Sequence, residues 1–141
     1  MKGRPHIPNK TQVVDPRQAP DAVLNACPTI YQEYIEGTTH LRAHVFGDEV
    51  HVASLDSSEV DWRFDLTIPF SQGHVPDDVA DKLREVVSRL GLRMGVCDLK
   101  KLPSGQHVFL ECNQQGQFLF VEALTGQDLV RPFADFLLRE L

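Results

Sequence analysis

The sequence predicts an α+β domain with a mainly antiparallel sheet and two principal helices. Three observations carry this. Short β-branched and aromatic runs are punctuated by turn residues, as at Gly47-Asp48 and Pro103-Ser104-Gly105. A single long amphipathic stripe spans Asp77 to Leu90, and its position between two groups of strands gives the order strands, helix, hairpin, helix. At 141 residues with 42% hydrophobic and 24% charged residues, the chain has the composition of one globular domain.

Residues 1 to 20 are polar, contain Pro5, Pro8, Pro16 and Pro20, and show no sustained period. They read as an extended arm or linker, so that residues 1–26 stand apart from a domain at 27–141. Asp21 to Ala26 suit one helical turn, which Cys27-Pro28 stops. Thr29 to Ile35 is β-branched and aromatic and predicts a strand ended by Glu36-Gly37. Leu41 to Phe46 and Glu49 to Ser57 predict a hairpin with a two-residue turn, Phe46 facing Glu49. That register puts His40, Arg42, His44 and His51 on one face and Leu41, Ala43 and Val45 on the other. A further strand is expected at Trp62 to Leu66, after the acidic loop 57–61.

The helix from Asp77 to Leu90 directs Val79, Leu83, Val86, Val87 and Leu90 inward, with Asp77 and Asp78 at its positive end, Arg89 at its negative end and Gly91 as cap. Gly95 to Leu99 and Val108 to Asn113 form a second hairpin. With residues 102–105 as its loop, Lys101 faces Gln106, Asp98 faces Phe109, and Asp98 and Glu111 become diagonal neighbours about 7 Å apart. Asn113 shares their face, while Cys97, Leu99, Val108, Leu110 and Cys112 take the core side. Phe118 to Val121 re-enters the core, Gly126 ends that piece, and a last helix starts near Pro132 with Phe133, Phe136, Leu137 and Leu141 inward.

The net charge of −6 argues against nucleic acid, because phosphate neutralisation needs clustered Lys and Arg. No run is long enough for a membrane span, and Met1 to His6 lack a signal-peptide core. Three cysteines without a C-x-x-C pair, two of them at core-facing positions, read as reduced thiols in a cytoplasmic protein. His40 and His44 lie about 13 Å apart on a strand, too far to share zinc; His44 and His51 could, but lack a third ligand. No P-loop or G-x-G-x-x-G motif and no G-x-S-x-G elbow occurs.

Two features remain. Asp98, Glu111 and Asn113 offer oxygen ligands of the kind Mg²⁺ accepts, although the same pattern fits a wetted sheet face that binds nothing. Arg42, in mid-strand between small apolar residues, needs an anion: either a structural carboxylate such as Glu33 or a bound phosphate. Asp98 locked in an ion pair with a permanent protein cation would count against the metal site and against the nucleotide reading that depends on it.

Taken together, Cys27 to Ile35, Leu41 to Asp48, Asp56-Ser57, Asp61-Trp62-Arg63, Gly95 to Leu99, Phe109 to Asn113 and Gly116-Gln117-Phe118 resemble the C-terminal portion of ATP-grasp ligases. The resemblance is to the RimK-like and microviridin-ligase-like branch that modifies peptides, and covers residues 27 to 141. It implies an ATP- and Mg²⁺-dependent carboxylate-amine or carboxylate-hydroxyl ligase acting through an acylphosphate on a peptide or protein. By the same resemblance Gln32, Glu33, Tyr34 and Ile35 hold the adenine, Arg42 meets phosphates, and Arg63 faces the phosphate or acyl end. Asp98, Glu111 and Asn113 bind Mg²⁺. Gln114 stands where these ligases usually carry proline, which loosens the loop after Asn113. The other lobe of the clamp, with its phosphate-binding lysine, is not in residues 1–26. The expectation is therefore a partial domain, inactive alone, which is either completed by a partner chain or a truncated piece of a longer ligase. The alternative is a non-catalytic peptide-binding or dimerisation module of the same fold, with a homodimer burying the open sheet face.

Overall fold

The computed structural model describes residues 11–15, 17–18, 21, 30–65 and 67–140. The expected arm at 1–10, the helical turn through Ala26, the Cys27-Pro28-Thr29 part of the family pattern, Leu66 and Leu141 lie outside them. Among the described residues the elements run β1 (Thr39–Phe46), β2 (Glu49–Asp56), a 3-10 turn (Trp62–Phe64), β3 (Phe70–Gln72), α1 (Asp77–Arg89), β4 (Met94–Lys101), β5 (His107–Asn113), α2 (Leu119–Thr125) and α3 (Val130–Arg139). The five strands make one antiparallel sheet in the order β3-β2-β1-β4-β5.

The first hairpin has the expected register, Phe46 opposite Glu49 and His44 opposite His51. Gly47, at φ 60°, supplies the left-handed residue of its two-residue turn. Leu41, Ala43, Val45, Val52, Cys97 and Leu99 project from the sheet onto Ala80, Leu83 and Val87 of α1 and form the main core. On the opposite face Ala53, Val121 and Leu129 make a smaller cluster with Phe70 and Phe118. Beside it the Phe46 ring meets Phe118 and Phe133 edge-on or tilted and stacks on Phe136, at centroid distances of 5.3–6.3 Å. One face is thus covered by α1 and the other, in part, by α2 and α3.

Five expectations change. Residues 30–35 are not a strand: they lie outside the five-stranded sheet, and Ile30, Tyr31 and Tyr34 stay exposed. Apolar, β-branched composition favours a strand only when a neighbouring ladder exists to receive it. Trp62–Phe64 is a 3-10 turn, with the Asp61 side chain on Arg63 and the Asp65 carboxylate accepting from the Thr67 amide in place of a ladder. The Phe118–Val121 segment enters the core as the start of a helix, α2, burying Val121. Leu90 and Leu137, expected inward, are exposed.

The fifth change concerns the second hairpin. Its loop is one residue longer, so Lys101 pairs with His107 and Leu99 with Phe109, and a β-bulge then brings Asp98 directly opposite Glu111. Leu110 is the extra residue, and it lines the cavity beside Asp98 and Glu111 instead of the core; Val108, paired with Lys100, likewise leaves the α1 face. Without the bulge, the longer loop would have turned Glu111 and Asn113 to the face opposite Asp98.

Candidate functional site

The face shared by Arg42, Asp98, Lys100 and Glu111 opens into a cavity of about 320 Å³. Gln32, Glu33, Tyr34 and Ile35 line it together with those strand residues, Asp61 and Arg63. Eight of the nine expected site residues therefore surround one space. The ninth, Asn113, lines an adjoining, more open and mostly apolar cavity of about 780 Å³, which also contacts Arg42, Arg63, Gly116, Gln117 and Phe120. Asn113 remains tied to the first group, since its Nδ2 donates to Glu111 Oε1 at 3.0 Å.

Arg42 finds a protein partner other than Glu33. β1 lies against β4 with Arg42 directly opposite Asp98, and Arg42 Nη1 donates to both Asp98 oxygens at 2.8 and 2.9 Å. Nη2 donates to the Gln117 carbonyl at 3.1 Å, and the guanidinium lies 5.8 Å from the Phe120 ring centroid. Arg42 Nε is buried with no partner. The ion pair is 12% and 21% exposed at its two side chains, so water screens it only weakly. Burial pushes the Asp98 carboxyl up, Arg42 opposes that, and the adjacent Glu111 carboxylate pushes it up again.

Arg63 is engaged from below: its Nε and Nη2 donate to the buried Asp61 carboxylate at 2.7 and 2.8 Å, while its own side chain is 64% exposed. This grip holds Asp61 well below the usual carboxylate range, helped by the Thr11 amide. Asp61 raises the affinity of Arg63 for its proton, and the fields of Glu111 and Asp98 add to that, which places Arg63 within electrostatic reach of both. The cavity is thus lined by four carboxylates, of Glu33, Asp61, Asp98 and Glu111, and two guanidinium groups.

Lys100 was missed as a site residue. It is buried, and its Nζ donates to the carbonyls of Ile35 and Gly37 at 2.8 and 3.0 Å, with the Tyr34 ring centroid 5.4 Å away. Burial lowers its pKa. The signal in the sequence was its two-residue spacing from Asp98, which fixes both on one face. Asp61 was also missed, and the Asp-x-Arg spacing at 61–63 was its signal.

A metal fits the donor chemistry with one qualification set by the geometry. Asp98, Glu111 and Asn113 supply only oxygen, and two carboxylates held side by side on opposed strands suit a hard cation. Among the described residues no group of three or more His, Cys, Asp and Glu is placed to hold a metal ion, and Asp98 already carries Arg42. The histidines stay apart from this chemistry. His44 is fully buried, its Nδ1–H donating to the His51 carbonyl at 3.1 Å, while Nε2 has no partner. Burial holds its pKa down at about 4.

No family model and no curated protein matches this sequence. Solved structures do. A Chryseobacterium gregarium RiPP-associated ATP-grasp ligase, in complex with ADP and a leader and core peptide, superposes with a TM-score of 0.74 at 26% identity, over 86% of this chain and 39% of the ligase. The macrocyclase MdnB from Microcystis aeruginosa gives 0.64 at 28% identity, over 75% and 32%. MdnC from the same organism, bound with precursor peptide MdnA, gives 0.65 at 22% identity over 76% and 35%, a likeness of fold alone. The chain spans about a third to two fifths of the length of these ligases. No described helix is long and apolar enough to cross a membrane. Over the stretch it shares with them, the chain has the ATP-grasp fold of the peptide-modifying ligases.

Proposed function

We propose that this chain forms the metal- and phosphate-facing part of an ATP- and Mg²⁺-dependent ligase that activates a carboxylate of a peptide or protein for capture by an amine or hydroxyl. The observation that carries this reading is the single cavity that gathers residues 32–35, Arg42, Arg63, Asp98 and Glu111 in a fold similar to peptide-modifying ligases. Residues 32–35 would receive the nucleotide base, with Lys100 fixing their backbone. Arg42 and Arg63 would meet phosphate and acyl oxygens, and Asp98, Glu111 and Asn113 would hold Mg²⁺. Mg²⁺ supplies charge neutralisation on the phosphoryl group as it transfers. Arg42 would then release Asp98 and turn to the phosphate, exchanging one anion for another. Asp61 would keep Arg63 oriented throughout. The remainder of the nucleotide cradle would come from protein outside these 141 residues.

Calorimetric titration of Mg-ATP into the purified chain tests this. Weak binding that needs Mg²⁺ and vanishes in Asp98→Asn and Glu111→Gln is the expected result; identical behaviour of all three proteins removes the metal chemistry. Copurification of a second polypeptide would identify a partner that completes the site. The Arg42–Asp98 ion pair favours a second reading, in which the chain is a non-catalytic peptide-binding or dimerisation module. There Asp98 is a structural counter-ion, and a peptide would occupy the apolar cavity beside Phe120 whether or not Mg²⁺ is present.

A further inference from the structure

β4 and β5 place Cys97 and Cys112 directly opposite each other, one residue away from Asp98 and Glu111. Both are free thiols. Opposed residues of an antiparallel pair have Cα atoms about 4.5–5.5 Å apart, inside the range of about 4.4–6.8 Å that disulfides span. Both side chains belong to the α1 side of the sheet, where Cys97 is fully buried in the main core and Cys112 is half-buried against it. A Cβ added at Gly95 would come within 2.8 Å of Cys112 Sγ, so this sulfur leans over β4, toward its partner strand. Burial, together with the neighbouring Cys112 thiol, pushes the Cys97 thiol up. Neither has a part in the ligase reading, whose residues occupy the other face.

We infer that Cys97 and Cys112 form an oxidative modification site, a cross-strand dithiol that a peroxide closes into a disulfide. Cys112 has the accessible edge. Its thiolate attacks one peroxide oxygen, the O–O bond breaks, and the departing oxygen takes up a proton and leaves as water, converting Cys112 to a sulfenic acid. The Cys97 sulfur then attacks the Cys112 sulfur: the S–S bond forms, the S–O bond breaks, and the Cys97 proton leaves with the hydroxide as a second water. Two electrons pass from the thiols to the peroxide. Full burial makes Cys97 the resolving partner, because the oxidant cannot reach it first.

The test uses Cys27→Ser protein, which removes the third thiol, treated with hydrogen peroxide and then alkylated under denaturing conditions. The expected product is lighter by about 2 Da, takes up no alkyl group, yields a peptide linking residues 97 and 112, and is restored by dithiothreitol. Cys97→Ala in the same background should instead gain about 32 Da at Cys112, as an unresolved sulfenic acid oxidises further. The inference is overturned by Cys112 oxidised to sulfinic acid while Cys97 still alkylates, by dimers linked through Cys112, or by two thiols that survive the peroxide. The linked peptide decides the matter in the parent protein even where Cys97→Ala fails to fold.

Discussion

On the α1 side of the sheet, Leu41, Ala43, Val45, Cys97 and Leu99 interlock with Leu83 and Val87 as one apolar cluster. On the opposite side, the positions between them carry Arg42, His44, Asp98 and Lys100, all at most partly exposed. The same two strands thus build a core by non-directional burial on one face and by specific pairing on the other. Apolar packing tolerates a change of neighbour, whereas a half-buried charge depends on the one group that meets it. The polar face is therefore where single substitutions should act most selectively.

The largest effect is expected from Arg42→Met, which leaves Asp98 and Glu111 side by side without their guanidinium. Urea unfolding should show a loss of about 3–5 kcal/mol, the usual range for stranding one member of a weakly screened pair. A loss below about 1 kcal/mol would mean that the two faces are energetically alike. The pH response comes next. His44 titrates near 4 in the folded chain, against about 6.5 unfolded, so the unfolded chain binds more protons between these values. Its contribution is intact above pH 6.5 and lost as pH falls to 4, a decline of about 3 kcal/mol. His44→Phe, whose ring would sit among Phe46 and Phe118, should flatten that decline in urea melts at pH 4 to 7. His40, also lowered by burial and by Lys100, and His107, lowered by burial, contribute with the same sign, so part of the slope should remain. Lys100→Met should cost about 1–2 kcal/mol through two lost hydrogen bonds, and hydrogen exchange should rise at residues 31–37 while α1 is unchanged. The smallest change should be Glu111→Gln, a gain of at most about 1 kcal/mol as the field on Asp98 relaxes.

The same contrast explains how much of the fold is legible in the sequence. Period-two alternation in Leu41–Val45 and the helical stripe at Leu83 and Val87 place β1, β2 and α1, because burial of an apolar face leaves its mark on every second or third residue. The hairpin at 94–113 was legible as a hairpin but not in register: nothing local announces that Leu110 is an extra residue. Glu111 and Asn113 fall on the Asp98 face all the same, because the longer loop and the bulge compensate each other. Residues 30–35 and 62–66 look like strands in composition, yet strand formation depends on an available edge. β3 is only three residues long, too short to show a period. The partner of Arg42 could not be read at all, since it follows from β1 and β4 lying side by side across 56 residues of chain.

Arg42 also reaches past the sheet to the Gln117 carbonyl, in the loop that forms part of the wall of the larger cavity. A single guanidinium therefore fastens that wall to the acidic strand pair. A group that drew Arg42 away from Asp98 would therefore act on the same guanidinium that holds the Gln117 carbonyl.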